Sequence, residues 1–243
     1  MVRADTTALV VSGTADTGRA IAHTVADAGG TVGFTYNNSE DDAEELLDAL
    51  PGEDHEAWHC DVTDHDETAA VVDEAMETLG EVNAVVYTVG VISRSAIVET
   101  EPKGWQDHLN ANVTGAYNLL RAVGPRLEDQ GTGAFVGVSA AQGILNSPNL
   151  SAYDASKQAL EALIQETARE LGPSGVRANA VAPGFIRDPD ALSKEDKRDL
   201  LDQQPYERLT TPGDVANACL FLCSDDAATI TGTVLPVDSG LSL

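Results

Sequence analysis

Leu9-Val10-Val11-Ser12-Gly13-Thr14-Ala15-Asp16-Thr17-Gly18-Arg19-Ala20-Ile21-Ala22 sets a short aliphatic run before a turn with two glycines and then a helix-type run that continues to Ala28. Glycines at such a turn let the backbone bend tightly and bring a helix N-terminus close to a pyrophosphate. Taken alone, two glycines support a plain tight turn equally well. The decisive feature is that the same alternation repeats along the chain. Thr31 to Tyr36 precedes an acidic helix from Asp41 to Leu50; Trp58-His59-Cys60 leads to Asp61, a helix through Glu77 and a strand from Ala84 to Tyr87. Trp105 to Leu127 reads as one long helix, Ala134 to Val138 as a strand and Ser151 to Leu171 as another long helix. Val176 to Val181, a helix from Pro212 to Ser224 and a strand from Thr233 to Val237 complete the series.

Strands alternating with longer helices imply right-handed βαβ units, hence an α/β fold with a parallel sheet covered by helices on both faces. Ligands of such sheets bind at the carboxyl ends of the strands. No repeat, linker or low-complexity tract interrupts residues 1–243, so a single domain is expected.

The chain carries 40 acidic and 14 basic residues, a formal net charge of −26, with the acids spread along its length. Nucleic acid and anionic membranes are poor partners for such a surface. A dispersed acidic surface with four lysines suits a protein kept soluble in concentrated salt, where screening shortens to about 3 Å at 1 M; a halophilic cytoplasm is the expectation. Cys60, Cys219 and Cys223 are an odd number and read as buried free thiols. The apolar run Ala8 to Val11 is too short for a signal-peptide core, and no segment is long enough to span a bilayer. His23, His55, His59, His65 and His108 are scattered without ligand-like spacing, so no metal site is expected.

Tyr153 and Lys157 stand one helical turn apart in Tyr153-Asp154-Ala155-Ser156-Lys157. An ammonium beside a phenol favours the phenolate and lowers its pKa, which makes the pair a device for moving a proton to or from an oxygen. A surface tyrosine beside a solvated lysine is the alternative for the isolated pentapeptide. Read with Ser12-Gly13 and Gly18, Cys60-Asp61-Val62-Thr63, Asn112-Val113-Thr114-Gly115, Asn179-Ala180-Val181-Ala182-Pro183-Gly184-Phe185-Ile186, Arg208 to Ala216 and Gly232 to Asp238, the whole chain resembles the short-chain dehydrogenase/reductase family, especially its bacterial 3-oxoacyl carrier-protein reductase type.

That resemblance implies a single doubly wound Rossmann-type domain and hydride transfer between a nicotinamide cofactor and a carbonyl or alcohol. It makes Tyr153 the general acid or base. Lys157 lowers the pKa of Tyr153 and binds the nicotinamide ribose, and Asn112 anchors a proton-relaying water. Gly13, Gly18, Tyr36, Asp61, Val62, Gly90 and Ile186 join Tyr153 and Lys157 in contacting the cofactor, with Asp61 and Val62 at the adenine. Tyr36, where an acid would select NAD, tilts the expectation to NADP(H), with NAD(H) as the alternative. The resemblance also implies a small-molecule substrate, a flap over it at about residues 187–205, and a homotetramer. Without it, Ser193 to Gln203 reads as a plain solvated helix.

Four positions depart from the family pattern. The glycine turn is one residue short and carries Asp16; Tyr87-Thr88-Val89-Gly90 keeps only the glycine of the usual Asn-Asn-Ala-Gly; Ala140 stands where the catalytic serine is expected; Asp188 replaces a threonine. Ser139 is the candidate substitute, but neighbours on a strand point to opposite faces, so it reaches the site only if the chain slips or kinks. Two functions therefore follow: a working reductase or dehydrogenase, or a non-catalytic member of the fold serving as partner subunit or ligand-binding protein.

Overall fold

In the computed structural model, residues 5–141, 148–186 and 193–243 are described. Among the described residues seven parallel strands, β1 (Thr7–Val11), β2 (Thr31–Tyr36), β3 (Glu56–His59), β4 (Ala84–Tyr87), β5 (Gly133–Val138), β6 (Val176–Pro183) and β7 (Val234–Val237), lie in the order 3-2-1-4-5-6-7. The helices are α1 (Asp16–Asp27), α2 (Glu40–Ala49), α3 (His65–Leu79), α4 (Pro102–Leu109), α5 (Gly115–Gln130), α6 (Ser151–Leu171), α7 (Lys194–Leu201) and α8 (Pro212–Cys223).

The strands point successive side chains to opposite faces, and two cores result. Leu9 and Val11 of β1 and Val85 and Tyr87 of β4 pack with Val72 of α3, Leu119 and Val123 of α5, and Leu160 and Ile164 of α6. Ala8, Val10, Ala84 and Val86 pack on the other face with Ile21 and Val25 of α1, Leu46 of α2, and Val215 and Cys219 of α8. The apolar stripe of α6 is thus mainly core within one chain, with Leu163 and Leu171 only partly buried.

Strand order reverses between β1 and β4, whose ends are level because Val11 is paired with Tyr87. A cleft opens at such a switch point, outside the carboxyl ends of the strands. Thr88 closes its floor, its hydroxyl donating to Val11 O at 2.8 Å and Ser12 O at 3.0 Å. The stretch Thr211-Pro212-Gly213-Asp214 starts α8 with a reciprocal capping box and a proline in the first turn. Arg177 of β6 satisfies the other end of α8, its guanidinium donating to the carbonyls of Leu222, Cys223, Ser224 and Ile230.

Two segments differ from the sequence-based expectation. The helix expected from Arg19 begins three residues earlier, at Asp16, where an acid is favoured by the helix dipole. The single helix expected from Trp105 to Leu127 is interrupted by a π-helical segment, Asn110–Thr114, in which Gly115 N donates to Asn110 O five residues back. The expected flap holds α7; Arg187 and Asp188 lie outside the described residues. Among the described residues no helix is long and apolar enough to cross a membrane.

Candidate active site

At the end of β1, Ser12 has a φ of 69°, a left-handed conformation uncommon for a residue with a side chain. The turn is anchored to β2 by Gly13 N donating to Thr35 O at 2.9 Å and Ser12 N donating to Thr35 Oγ1 at 3.2 Å. A Cβ on Gly18 would lie 2.3 Å from Ser12 O and 2.7 Å from Gly13 Cα, so the first turn of α1 rests directly on the loop. A Cβ on Gly13 would run into Phe34 at 2.5 Å. No side chain caps the first amides of α1, which leaves an N-terminus of the kind that binds anionic groups. Asp16, exposed at its start, adds one negative charge there.

Beyond β4, the loop from Val89 is held by the α4–π segment. Asn112 is fully buried; its Oδ1 accepts from Val91 N at 2.8 Å, and its Nδ2 donates to Val91 O at 3.1 Å and Ser156 Oγ at 2.8 Å. His108, also buried, accepts from Ser93 N at 3.1 Å through Nε2 and donates from Nδ1 to Gly104 O at 2.7 Å. Residues four apart near a helix rise about 6 Å, close to the roughly 6.6 Å between alternate residues of extended chain. His108 and Asn112 accordingly engage residues 93 and 91 of the loop. Tyr87, fully buried, donates its hydroxyl to Ala111 O inside the π segment. A Cβ on Gly115 would meet that hydroxyl at 2.5 Å. A π segment of this kind is frequent at functional sites.

Tyr153 and Lys157 lie on the first two turns of α6. Lys157 is 2% exposed, and its ammonium donates to Val89 O at 3.1 Å and Val138 O at 2.9 Å, joining the ends of β4 and β5. It sits 5.8 Å from the centre of the Tyr153 ring. Burial pulls the Lys157 pKa down to about 8, against the opposing pull of the Glu161 carboxylate. Burial, with the Asp154 carboxylate, pushes the Tyr153 phenol up to about 12. In the chain alone the direction is thus upward, set by desolvation of the phenol, while the Lys157 ammonium donates to two backbone carbonyls.

Ser139 continues the regular ladder, its N donating to Val181 O at 2.7 Å, so the chain neither slips nor kinks. Its hydroxyl turns to α6 and donates to Glu161 Oε1 at 2.5 Å, with Lys157 O at 3.4 Å. The expectation that Ser139 serves the reacting oxygen is corrected accordingly, for the reason the strand alternation gives: Ala140 is the residue turned the other way. Both amide protons of Asn112 hold the loop and α6.

At the far end of the cleft, Tyr36 is half-buried and meets the His59 ring edge-to-face at 5.8 Å. Asp61 Oδ1 accepts from Thr63 N at 2.9 Å and Thr63 Oγ1 at 2.7 Å, while Val62 is buried against the π segment side and its carbonyl accepts from Asn118 Nδ2 at 2.9 Å. A recess beside Tyr36 is lined by Asn38, Ser39, Glu40, Asp41 and Asp42. Arg19 reaches across from α1, donating to Thr14 O at 3.3 Å and Asp42 O at 3.1 Å, with the carboxylates of Asp42 and Glu45 at 3.9 and 3.7 Å. Gly90 is exposed on the cleft side of Lys157, where an added Cβ would stand 3.4 Å from Nζ. Ile186 is half-buried just past β6 and bridges to Thr210.

The cleft thus offers an uncapped helix N-terminus, close-approach glycines at 13, 18 and 90, and a phenol and ammonium at its opposite end, a donor set that fits a long dinucleotide. Sequence reasoning did not find Tyr87, His108, Ser156, Glu161 or Arg19. Only Tyr87 carried a signal, as a bulky residue at a motif position followed at a distance by the obligate Gly115.

A family model described as enoyl-(acyl carrier protein) reductase matches residues 13–242. The 3-oxoacyl-[acyl-carrier-protein] reductase FabG of Staphylococcus aureus (strain Mu50 / ATCC 700699) is 33% identical over 238 residues, covering 96% of this chain and 97% of its own. The enzyme of the same name from Thermotoga maritima is 30% identical over 237 residues, with 96% of each chain covered. A solved short-chain type dehydrogenase/reductase from Mycobacterium ulcerans matches with a TM-score of 0.93 at 30% identity, over 100% of this chain and 91% of that one.

Proposed function

This chain belongs to the short-chain dehydrogenase/reductase family, and on that premise we propose that it is a nicotinamide-dependent reductase of 3-oxoacyl-type carbonyls with Tyr153 as its proton donor. The observation that carries the reading is the joint placement of a half-buried phenol and a buried ammonium at the carboxyl end of the sheet. When bound, the nicotinamide supplies the hydride. The Gly13–Gly18 turn and the start of α1 would hold the pyrophosphate, Asp61 and Val62 would flank the adenine, and Gly90 and Ile186 would border the nicotinamide.

Tyr153 gives its hydroxyl proton to the carbonyl oxygen as the carbon accepts the hydride. A phenol at about 12 is protonated at neutral pH, which makes it an acid ready for reduction and leaves little base for the reverse. Lys157, with one N–H left beside those on Val89 O and Val138 O, would donate it to a ribose hydroxyl, and its charge stabilises the phenolate as it forms. His108 acts through the loop it fixes, as a positioning residue; Asn112 fixes the same loop and would anchor a water that relays protons from Lys157. Ala140 presents a methyl in place of the family's serine, and one lost donor to a reacting oxygen typically costs about 10²–10³ in rate. The direct test is consumption of reduced cofactor with a 3-oxoacyl thioester: formation of the 3-hydroxyacyl product supports the reading, and no product from any acyl length contradicts it.

For the cofactor we hold to NADP(H), because Tyr36 leaves no acid at the end of β2 and Arg19 brings a guanidinium between the glycine turn and α2. NAD(H) is the second reading, favoured by Glu40, Asp41 and Asp42 around the recess and by the pairing of Arg19 with Asp42 and Glu45. Measured Kd values for NADPH and NADH, with Arg19→Gln alongside, decide between them. A preference for NADPH that Arg19→Gln weakens is the expected result; a clear preference for NADH overturns it.

The remaining assignments concern the setting. We place the protein in a salt-rich cytoplasm, on its net charge of −26 and its free thiols. We read it as a homotetramer built on α5, α6 and the carboxyl-terminal strand, in support of which Tyr117 of α5 is exposed. Light scattering in molar KCl tests the assembly, four chains being expected and a monomer excluding it. The segment around α7 is read as the substrate flap.

A further inference from the structure

Lys157 and Glu161 stand one turn apart on α6, and both reach the end of β5. Lys157 Nζ donates to Val138 O at 2.9 Å. From the very next residue, Ser139 Oγ donates to Glu161 Oε1 at 2.5 Å and lies 3.4 Å from Lys157 O. Two consecutive residues of the strand end are therefore fixed to one helix, the first by its carbonyl and the second by its hydroxyl. The other partner of Nζ, Val89 O at 3.1 Å, comes from the loop after β4.

The groups around the Lys157 ammonium can be taken element by element. The β4 loop contributes Val89 O and Gly90, and β5 contributes Val138 O and the uncharged Ser139. Its own helix contributes Tyr153 and Glu161, while Asp154 acts on the phenol. Among the described residues Glu161 is thus the carboxylate that opposes the burial of Lys157. Glu161 is itself half-buried, and that burial holds its own pKa above the usual carboxylate range, with the Ser139 hydroxyl and Lys157 pulling the other way.

We propose that Glu161 is a positioning residue for Lys157, fixing Val138 O against the ammonium through Ser139 and standing as its counter-charge. The inference rests on the reading of Lys157 as part of the reacting site, and it gives Ser139 a task in place of the one Ala140 has lost. Burial alone favours a neutral amine. The carboxylate keeps the cation that the ribose and the phenolate need.

The chain has only four lysines, Lys103, Lys157, Lys194 and Lys197, so carbon-labelled lysine side chains can be followed singly by NMR in the resting protein, with Lys157 assigned by its loss in Lys157→Met. Wild-type Lys157 is expected to titrate near 8. Glu161→Gln keeps an acceptor for Ser139 and removes the charge, and should lower that titration by about one pH unit. Ser139→Ala keeps the charge and should shift it by less than half as much. In turnover, the basic limb of the kcat profile should move with the NMR titration while substrate KM stays put, which a merely structural role would not produce. A Glu161→Gln titration within about 0.2 unit of wild type overturns the proposal. Absence of cofactor turnover in the wild type would instead defeat the reductase reading, and the NMR titration would still decide the part played by Glu161.

Discussion

Tyr153→Phe is expected to lower kcat for carbonyl reduction by about 10³-fold, with cofactor Kd changed only a few-fold and the fold intact. General acid catalysis from one positioned side chain is worth about 10²–10⁴ in rate. The substitution removes only the hydroxyl and leaves the ring in its place beside Lys157. The residue is half-buried and belongs to neither core, so loss of the oxygen should not unfold the chain. Reduction and oxidation should also part company with pH. A donor with a pKa near 12 supplies protons across the neutral range, whereas the reverse reaction needs the phenolate and should climb between pH 7 and the alkaline end. Retained turnover in the Phe variant would remove Tyr153 from the chemistry.

Lys157→Met should abolish turnover to a similar degree while changing stability little at neutral pH, because two opposing effects meet at this side chain. Methionine relieves the cost of a buried charge, but leaves Val89 O and Val138 O without their donor, at about 1–3 kcal/mol for each unsatisfied buried group. The sign of the pH dependence follows from the direction of the shift. Lys157 has a folded pKa of about 8, below the 10.5 of an unburied lysine. Between those values the unfolded chain binds more protons, so this residue makes stability rise with pH across that window, by about 3 kcal/mol in all at 1.36 kcal/mol per unit. Below pH 8 the charge is buried and its cost is constant. Comparing denaturant unfolding of wild type and Lys157→Met from pH 7 to pH 10 reads this directly: the wild type should gain relative to the variant as pH rises, and parallel curves would show that the lysine is not held as the structure has it.

Much of the fold was legible because strand and helix periodicity decide it locally. Thr31 to Tyr36, Ala84 to Tyr87 and Ser151 to Leu171 have the limits read from sequence, and most other elements differ only at their ends. The strand alternation at Ser139 was also readable, and the structure agrees with it: Ser139 faces α6. What escaped depends on contacts between distant segments. The π segment at Asn110–Thr114 looks like ordinary helix in sequence; it is accompanied by the Tyr87 hydroxyl on Ala111 O and by the absence of a side chain at Gly115, residues from 24 to 28 positions away from Tyr87. His108 gave no sign of its task, since its partner is the backbone of Ser93 and a backbone amide has no sequence signature. The desolvation of Tyr153 was hidden for the same reason: spacing on a helix reveals which side chains are near, but not how far the phenol is withdrawn from water or that Lys157 is bonded to two carbonyls.

Equilibrium titration of the folded protein with NADPH and with NADH in molar KCl, followed by reduced-nicotinamide fluorescence, bears most directly on whether the shortened Gly13–Gly18 turn and α1 still receive a dinucleotide. Saturable binding at one cofactor per chain, weakened by Lys157→Met, is the result this account predicts. A folded protein that gives no saturable signal with either cofactor would contradict it and leave a non-catalytic member of the fold.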